Sequence, residues 1–344
     1  MLKNRLCYFV VLIIMTVCGP YAAARDIIDM TGRRLTVPDE IRKVYGTSPP
    51  STYMVYAVDP GRVAGLNFPL NQSEQQFLDQ RLRKLPLIGG WFGQGRVPNL
   101  ETLLQVHPDI ILDCMWQKSA ANEMVERVVK PFQIPVVHVP LDALADYPDV
   151  FCFLGQLLNQ QERGQMLSRY AQKTLDEIVR VRAAIPEDSR VTVYYAEGAD
   201  GLSTECHTSL HAQLISLSGG KNVHRCSDEG NYGMQKVSME QVLKYNPQVI
   251  ISHEALFFSR LAANPKWKNI RAVRDGRVYR IPKEPFNWFD RPPSFMRLLG
   301  VKWLMHTLYP SVYPLNLMAE TQSFYKLFLN ICLDDAATRA LLQP

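Results

Sequence analysis

Short apolar runs alternate with amphipathic stretches through the first half of the chain. The runs predict β-strands at residues 43–46, 63–66, 85–88, 109–112 and 136–139. A helical segment at residues 51–58 follows the first of them. Because strands that alternate with helices usually pair in parallel, this half is predicted to form an α/β unit.

A long amphipathic segment separates this half from a second one. Apolar residues recur at helical spacing over residues 162–184, and Pro186 ends the pattern, which predicts one helix of roughly 30 Å. The alternation then resumes, with strands predicted at 190–195, 249–252 and 278–281 and helices at 207–217, 292–308 and 317–331. Two α/β halves around one spine helix are therefore expected.

An internal repeat relates the two halves at an offset of 139 residues. Asn99-Leu100-Glu101 precedes a short helix and then Pro108, and Ser238-Met239-Glu240 precedes the same pattern ending at Pro247. Asn and Ser are good N-cap residues, and a glutamate in the first turn suits the helix dipole. The pair of glutamates is either this electrostatic effect alone or one partner-binding carboxylate in each half.

The first 24 residues have the pattern of a secretory leader. Lys3 and Arg5 precede an apolar run over residues 6–18, and small residues end at Ala24, where we expect cleavage. A lipid anchor on Cys18 is the alternative. The remaining chain is predicted to form an N-lobe (residues 25–145), a linker with the spine helix (146–188) and a C-lobe with closing helices (189–344).

Charge and cysteine content narrow the classes of function. The net charge falls from +5 to +3 when Lys3 and Arg5 leave with the leader, which is too little to indicate nucleic-acid binding. The mature chain keeps five cysteines without CxxC spacing. Cys206 and Cys226 are the expected disulfide in an oxidising compartment, and buried free thiols are the alternative.

Four segments together resemble one family. The run from Asn99-Leu100-Glu101 to Pro108-Asp109-Ile110-Ile111 resembles a signature of class III periplasmic binding proteins, which serve iron-siderophore, haem, cobalamin and related ABC importers. Asp29–Arg33, Gly219–Val223 and Asp275–Tyr279 resemble that family's N-terminal hairpin, second-lobe turn and last strand. The resemblance covers nearly all of residues 26–310.

The resemblance implies two Rossmann-like lobes with parallel sheets, joined by one long helix, with the ligand in the cleft between them. It also implies little hinge closure, and it places Glu101 and Glu240 at the positions that dock basic residues of the permease dimer. A monomer in the periplasm that captures a metal chelate is expected. A ferric siderophore ranks first, and a nickel chelate, cobalamin or haem are the other options.

Ligands of open α/β sheets bind beyond the carboxyl ends of the strands. The segments after the predicted strands are rich in aromatic side chains, which suit an organic chelate. The candidate contacts are Ser48, Trp91, Trp116, Tyr195 and Trp288. The alternative for each tryptophan is packing in a lobe core.

Two polar residues complete the candidate site. Arg291 is expected to bind an anionic group of the ligand, or to pair with Asp290 or another nearby acid. His207 is the candidate metal ligand, with His211 one helical turn away. No convergent set of three or four ligands is evident, so a chelated metal is favoured over a bare ion, and no intrinsic cofactor is expected.

Two other functions remain open. The hydroxyls of Thr47, Ser48 and Ser51 near a helix N-terminus suit a molybdate-type oxyanion. An enzyme is disfavoured because the sequence has no GxSxG, HExxH or P-loop motif. Glu197, Glu205 and His207 lie close in sequence, yet nothing assigns them acid and base roles.

Overall fold

The computed structural model describes residues 23–92, 97–115, 120–226 and 233–343. The leader, except for its last two residues, and Trp116 lie outside these ranges. Within them, every helix is too short or too polar to cross a bilayer.

Eleven strands are present in the described residues, and their bounds follow in chain order. They are β1 Ala24–Ile28, β2 Arg34–Pro38, β3 Val44–Gly46, β4 Ile110–Met115, β5 Val136–Pro140, β6 Thr192–Tyr195, β7 Ser203–Thr204, β8 Lys221–Asn222, β9 Gln235–Lys236, β10 Val249–Ser252 and β11 Val278–Arg280.

Thirteen α-helices are present in the same ranges. They are α1 Pro49–Val58, α2 Glu74–Phe77, α3 Leu100–Val106, α4 Ala120–Val129, α5 Tyr147–Leu157, α6 Gln161–Ala183, α7 Gln213–Leu217, α8 Met239–Tyr245, α9 Ala255–Ala263, α10 Arg271–Arg274, α11 Arg297–Leu308, α12 Leu317–Leu329 and α13 Asp335–Leu342.

Two separate parallel sheets form the lobes. The N-lobe sheet has the order β3-β4-β5, and the C-lobe sheet has the order β11-β10-β6-β8. Strands β4, β5, β6 and β10 are buried along nearly their whole length, as expected for sheets that helices cover on both faces. The α/β fold with two lobes is confirmed.

The predicted strands at 63–66 and 85–88 are reduced to single bridges in the structure. Val63 pairs with Val44, and Leu66 pairs with Leu87. Pro86 has no N–H and so cannot donate to a ladder, which limits the pairing of this segment. These two segments still extend the edge of the N-lobe sheet next to β3.

Helix α6 is the predicted spine, and it is confirmed within one residue at each end. Its 23 residues span about 35 Å. Lys302 of α11 is 1 % exposed, and its Nζ lies 3.0 Å from Glu177 Oε2 of α6 and 2.9 Å from Glu320 Oε1 of α12. Tyr170 and Tyr313 donate hydroxyl hydrogen bonds to the same two glutamates. This buried cluster ties three helices together.

Helix α12 belongs to the C-lobe by its position in the sequence, but it also packs against the spine helix and the N-lobe. The Phe324 and Phe328 rings both lie 5.4 Å from that of Tyr170 on the spine, and Tyr325 packs edge-on against Phe77 of the N-lobe. One hydrophobic core runs from β3 through α5 and α6 to α11 and α12. The lobes are thus joined by a continuous core as well as by α6.

The 139-residue repeat is present in the structure. Asn99 and Ser238 cap α3 and α8, with side chains that accept hydrogen bonds from Thr102 N and Gln241 N. Both helices end on a left-handed residue, His107 or Asn246, directly before the proline. The next strand in each case is central in its sheet.

Cys206 and Cys226 form the predicted disulfide. The helix predicted at 207–217 is shorter than expected. It begins with a 3₁₀ turn at Leu210–Ala212 and continues as α7. The disulfide and the Ser209 side chain, which accepts from His211 N, hold the first residues in a turn instead.

Candidate functional site

The carboxyl end of the N-lobe sheet presents a layer of hydroxyl groups. Thr47 Oγ1 donates to Asp113 Oδ1 at 2.6 Å, and the hydroxyl oxygens of Ser48 and Ser51 lie 3.0 Å apart. Ser51 Oγ also accepts from Cys114 N of β4. These side chains are buried and bonded to one another, so the layer is rigid but has few free donors.

Helix α1 begins in this layer at the N-cap residue Ser48. Its side chain makes no capping hydrogen bond, and Pro49 and Pro50 occupy the first two helical positions. Proline has no N–H, so two of the donors that a helix N-terminus normally offers to an anion are missing. This helix N-terminus therefore gives less support for a molybdate-type oxyanion site than the sequence suggests.

Trp91 lies beside the same edge. Its backbone N–H donates to Thr47 O at 2.8 Å, the residue is half-buried, and its ring lies 5.8 Å from that of Tyr45. A Cβ on Gly90 would approach Thr47 O to 2.9 Å, so glycine is needed for the close approach of the two segments. The ring is partly open to solvent at the lobe edge, as its candidate role requires.

The carboxyl end of the C-lobe sheet carries a hydrogen-bonded cluster around Asp290. Tyr195 at the end of β6 donates to Asp290 Oδ1 at 2.8 Å, and its hydroxyl lies 3.1 Å from His253 Nδ1. His211 Nδ1 lies 3.1 Å from Asp290 Oδ2. Burial lowers the pKa of His253. Tyr195 has no exposed surface, so it acts by fixing Asp290.

Arg291 pairs with buried acids, which is one of the two roles expected from its sequence position. Its Nε lies 2.7 Å from Glu197 Oε1, and its Nη2 contacts Glu205 Oε1. Both glutamates are 0 % exposed, whereas the Arg291 side chain is 28 % exposed. The pairing with local acids is therefore present, and part of the guanidinium still faces the space between the lobes.

A tight turn brings the two glutamates together. Glu197 and Ser203 exchange backbone hydrogen bonds of 2.8 and 3.1 Å, and Gly198 and Gly201 between them have positive φ. A Cβ on Gly201 would approach the Phe257 ring to 2.3 Å. Burial, followed by the negative charge of Asp290, raises the pKa of the Glu197 carboxyl to about 8.

A cavity of 180 Å³ lies between the lobes at this point. The N-lobe lines it with Asn71, Ser73 and Glu74, and the C-lobe contributes His253, Lys283 and Arg291 among others. Larger cavities of 520 and 500 Å³ lie near the opposite, amino-terminal ends of the strands. The cavity between the lobes is thus compact and polar, and it is lined by two basic side chains, Lys283 and Arg291, and by two acidic ones, Glu74 and Glu284.

Some candidate residues lie elsewhere. Trp288 is fully buried in the core, where its Nε1 donates to Glu284 O, so its ring does not line the cleft. His207 lies against the disulfide, with Nδ1 accepting from Cys226 N at 3.4 Å. No group of three or more metal-ligating side chains occurs among the described residues, so His207 has no co-ligands there. Trp116 lies outside those residues.

Glu101 and Glu240 are both exposed on the first turns of α3 and α8. Since each helix runs opposite to the parallel strand that follows it, these turns lie at the carboxyl ends of the strands. The two carboxylates therefore lie on the cleft edge of their lobes.

Sequence reasoning missed the N-lobe side of the cavity. Residues 71–74 follow no predicted strand and contain no motif, so no signal in the sequence indicates them. Lys283 was also missed, although it follows the predicted strand at 278–281. Glu197 and Glu205 lie close in sequence, but their contact with Arg291 depends on the turn at Gly198 and Gly201, which the sequence does not reveal.

Two bacterial solute-binding proteins are similar to this chain in sequence. The "Vitamin B12-binding protein" of Pectobacterium carotovorum is 27 % identical over 212 residues, 61 % of this chain and 70 % of that protein. "Molybdate-binding protein MolA" of Haemophilus influenzae is 23 % identical over 313 residues, 84 % of this chain and 86 % of that protein.

A solved structure resembles nearly the whole chain. The "ABC transporter solute binding protein from Sulfurospirillum deleyianum" is 37 % identical, with a TM-score of 0.86, covering 93 % of this chain and 99 % of that one. The family model described as "Periplasmic binding protein" matches residues 91–285. The chain belongs to this periplasmic binding protein family, of the type that serves ABC importers.

Proposed function

We propose that this protein captures a compact, anionic metal chelate in the cleft and delivers it to an ABC permease at the inner membrane. A ferric chelate as compact as ferric citrate is the first candidate, ahead of larger siderophore complexes. The observation that carries the proposal is the cavity between the lobes, which the partly exposed Arg291 and Lys283 line together with the carboxyls of Glu74 and Glu284. The proposal assigns the anionic group of the solute to the two basic side chains. Basic side chains in a concave site favour an anionic ligand.

The size of the cavity favours a small solute. At 180 Å³ it is below the range of about 300 to 1,000 Å³ that is typical of sites for drug-sized ligands. A haem or a corrin would need a wider opening between the lobes. Tyr53 of the N-lobe stacks on Phe286 of the C-lobe with ring centroids 3.7 Å apart, which closes the cleft beside the cavity.

One relative supports iron as the transported metal. The "Fe(3+)-citrate-binding protein YfmC" of Bacillus subtilis is 22 % identical over 196 residues, 56 % of this chain and 59 % of that protein. Ferric citrate is a compact anionic chelate of the kind that the cavity favours. The metal is cargo in this proposal, held by its chelator and not by protein side chains.

A molybdate-type oxyanion is the second candidate. It is supported by the long match to MolA and by the hydroxyls of Thr47, Ser48 and Ser51 at the N-lobe edge. It ranks second because Pro49 and Pro50 remove N–H donors from α1 and because Thr47 already donates to Asp113.

Delivery depends on Glu101 and Glu240 in this proposal. Each lobe presents one exposed carboxylate at the cleft edge, at equivalent positions of the repeat. Two basic sites on a permease dimer would contact one carboxylate each, which fixes the orientation of the cleft over the translocation path. The protein is proposed to act as a monomer in the periplasm after secretion through residues 1–24.

Ligand titrations test the proposed solute. Protein freed of ligand by unfolding and refolding is titrated with ferric citrate, nickel–histidine, molybdate, cyanocobalamin and haemin, with binding followed by calorimetry. We expect ferric citrate to bind and to be recovered chemically unchanged. Tight binding of cyanocobalamin or haemin, with ferric citrate inert, would contradict the size and charge argument, and preference for molybdate would select the second candidate.

A further inference from the structure

Three buried carboxylates converge on one guanidinium in the C-lobe. Glu197, Glu205 and Asp290 are 0 %, 0 % and 1 % exposed, and all three lie within 3.4 Å of Arg291. If every group were ionised, the carboxylates would outnumber the guanidinium by two negative charges. An uncompensated charge away from water is costly, and a buried acid then commonly takes up a proton.

The hydrogen bonds indicate which acid holds the proton. Asp290 accepts from the Tyr195 hydroxyl, and Glu205 accepts from the Ser209 hydroxyl at 2.7 Å as well as from Arg291. Glu197 Oε2 and Asp290 Oδ2 are both buried without a hydrogen-bond partner among the described residues. Asp290 Oδ2, however, lies 3.1 Å from His211 Nδ1 and 3.4 Å from Arg291 Nε, whereas Glu197 Oε2 has no such neighbour there. Its carboxyl is the one with the least support for a negative charge, in agreement with its raised pKa of about 8.

We propose that Glu197 carries a proton in the solute-free protein, and that Glu197 and Glu205 are positioning residues that hold Arg291 toward the cleft for an anionic group of the solute. This inference rests on the proposed function for the solute, but the proton on Glu197 does not. The two glutamates occupy Nε and Nη2 of the guanidinium, which leaves Nη1 for a ligand in the cavity.

Protonation matters because it sets the charge that the solute meets. With Glu197 neutral, the excess of negative charge around Arg291 falls from two to one, so an approaching anion meets less repulsion. Ionisation of Glu197 adds a like charge, so anion affinity falls as the pH rises through about 8. One linked proton limits the fall to at most about tenfold per pH unit.

Other titratable groups face the trio from neighbouring elements. They are Tyr194 and Tyr195 of β6, His211 beside α7 and His253 after β10. Burial raises the pKa of both tyrosines far above 10 and lowers that of His253, so these three groups keep one protonation state between pH 7 and 9.

The protonation of Glu197 is tested in the absence of any ligand. Infrared difference spectra of the full-length mature protein are recorded from pH 6 to 10 for the wild type, Glu197→Gln and Glu177→Gln. Glu177 is the matched control, a buried glutamate on α6 whose partner is Lys302. We expect the band of a protonated carboxylic acid to disappear near pH 8 in the wild type and in Glu177→Gln, and to be absent in Glu197→Gln. The lack of this band at pH 7, or its presence in Glu197→Gln, would overturn the inference.

The positioning role is tested with two anionic probes, ferric citrate and molybdate, by calorimetry at pH 7 and 9. For a probe that binds, the wild type and Glu177→Gln lose roughly tenfold in affinity at pH 9, beyond any change in Glu197→Gln. Glu205→Asp keeps the negative charge but shortens the reach to Arg291, and we expect it to bind at least tenfold more weakly than the wild type at pH 7. Equal pH dependence in the wild type and Glu197→Gln, or equal affinity of Glu205→Asp and the wild type, would contradict the positioning role. If neither probe binds at either pH, the proposed function is contradicted, while the infrared titration still decides the proton.

Discussion

Arg291 shows how a single side chain can pair with buried acids and still face a ligand. Its two anchoring glutamates have no exposed surface, while the guanidinium is partly open to the cavity between the lobes. A planar fork with several donors suits this double contact, because each N–H has a fixed direction. The geometry of Arg291, and not its charge alone, is therefore expected to determine anion affinity.

Replacing Arg291 with lysine separates geometry from charge. Arg291→Lys keeps the positive charge among the carboxylates but cannot reach Glu197, Glu205 and a ligand together. We expect affinity for ferric citrate to fall by roughly tenfold or more, and the free energy of unfolding to fall by about 2 kcal/mol. Calorimetry and urea unfolding measure the two effects. Arg271→Lys, at an exposed pair with Asp275, is the control. Unchanged affinity in Arg291→Lys would refute the contact.

The tryptophans provide a second test at this scale. Trp91 is half-buried at the N-lobe edge, whereas Trp288 is enclosed in the core. Intrinsic fluorescence is expected to change when ferric citrate binds, with much of the change lost in Trp91→Phe and retained in Trp288→Phe. A signal that depends on Trp288 and not on Trp91 would reverse the assignment.

Residue roles were only partly predictable from the sequence. The position of Arg291 after the last C-lobe strand makes it a candidate ligand contact, because strand ends in α/β folds mark the ligand edge, and the structure adds its pairing with buried acids. Trp288 comes from the same segment, yet the sequence does not reveal that its ring points into the core. Tertiary packing determines which way a loop side chain points. It also determines that Glu197 and Glu205 contact the same guanidinium.

At the scale of elements, the disulfide stabilises the segment that carries Glu205. Cys206 directly follows Glu205 and is joined to Cys226, twenty residues later in sequence. Asn222 Nδ2 also donates to the Glu205 carbonyl. The position of the Glu205 carboxylate against Arg291 is thus tied to a covalent link outside the cleft.

Removal of the disulfide is expected to affect both stability and binding. The double variant Cys206→Ser and Cys226→Ser loses about 3 kcal/mol of unfolding free energy, the usual loss for a loop of this length. Affinity for ferric citrate falls as well, because Glu205 gains freedom. Urea unfolding and calorimetry measure the two. The control is Cys152→Ser, which replaces a cysteine that forms no disulfide. Full affinity in a destabilised double variant would show that the disulfide does not support the position of Glu205 at the site.

Elements with strong local signals were predicted accurately, and those that depend on neighbours were not. The spine α6 and the repeated helices α3 and α8 have periodic apolar residues, caps and terminating prolines. The segments at 63–66 and 85–88 were expected to be strands, but pairing depends on a partner, and Pro86 limits it.

At the scale of the whole molecule, two features oppose large movements of the lobes. The hydrophobic core is continuous from the N-lobe to α12, and the buried cluster around Lys302 connects α6, α11 and α12. Opening the cleft by a hinge at α6 would disturb both. The distance between Glu101 and Glu240 is therefore expected to change little on binding, so that capture and docking use nearly the same shape.

Charge reversal tests the proposed docking surface. The double variant Glu101→Arg and Glu240→Arg is expected to abolish solute uptake by cells while solute affinity in vitro is unchanged, because both carboxylates are exposed and outside the cavity. Uptake of labelled ferric citrate and calorimetry provide the readouts. Glu162→Arg, an exposed first-turn glutamate of α6, is the control. Normal uptake by the double variant would eliminate this surface.

The most direct measurement is native mass spectrometry, with metal analysis, of the protein purified from the periplasm of its host. The proposed function predicts one bound solute per monomer, a compact anionic complex that contains iron and leaves the protein intact on mild denaturation. A bound corrin, haem or metal-free organic molecule, or a protein modified covalently by its ligand, would contradict it.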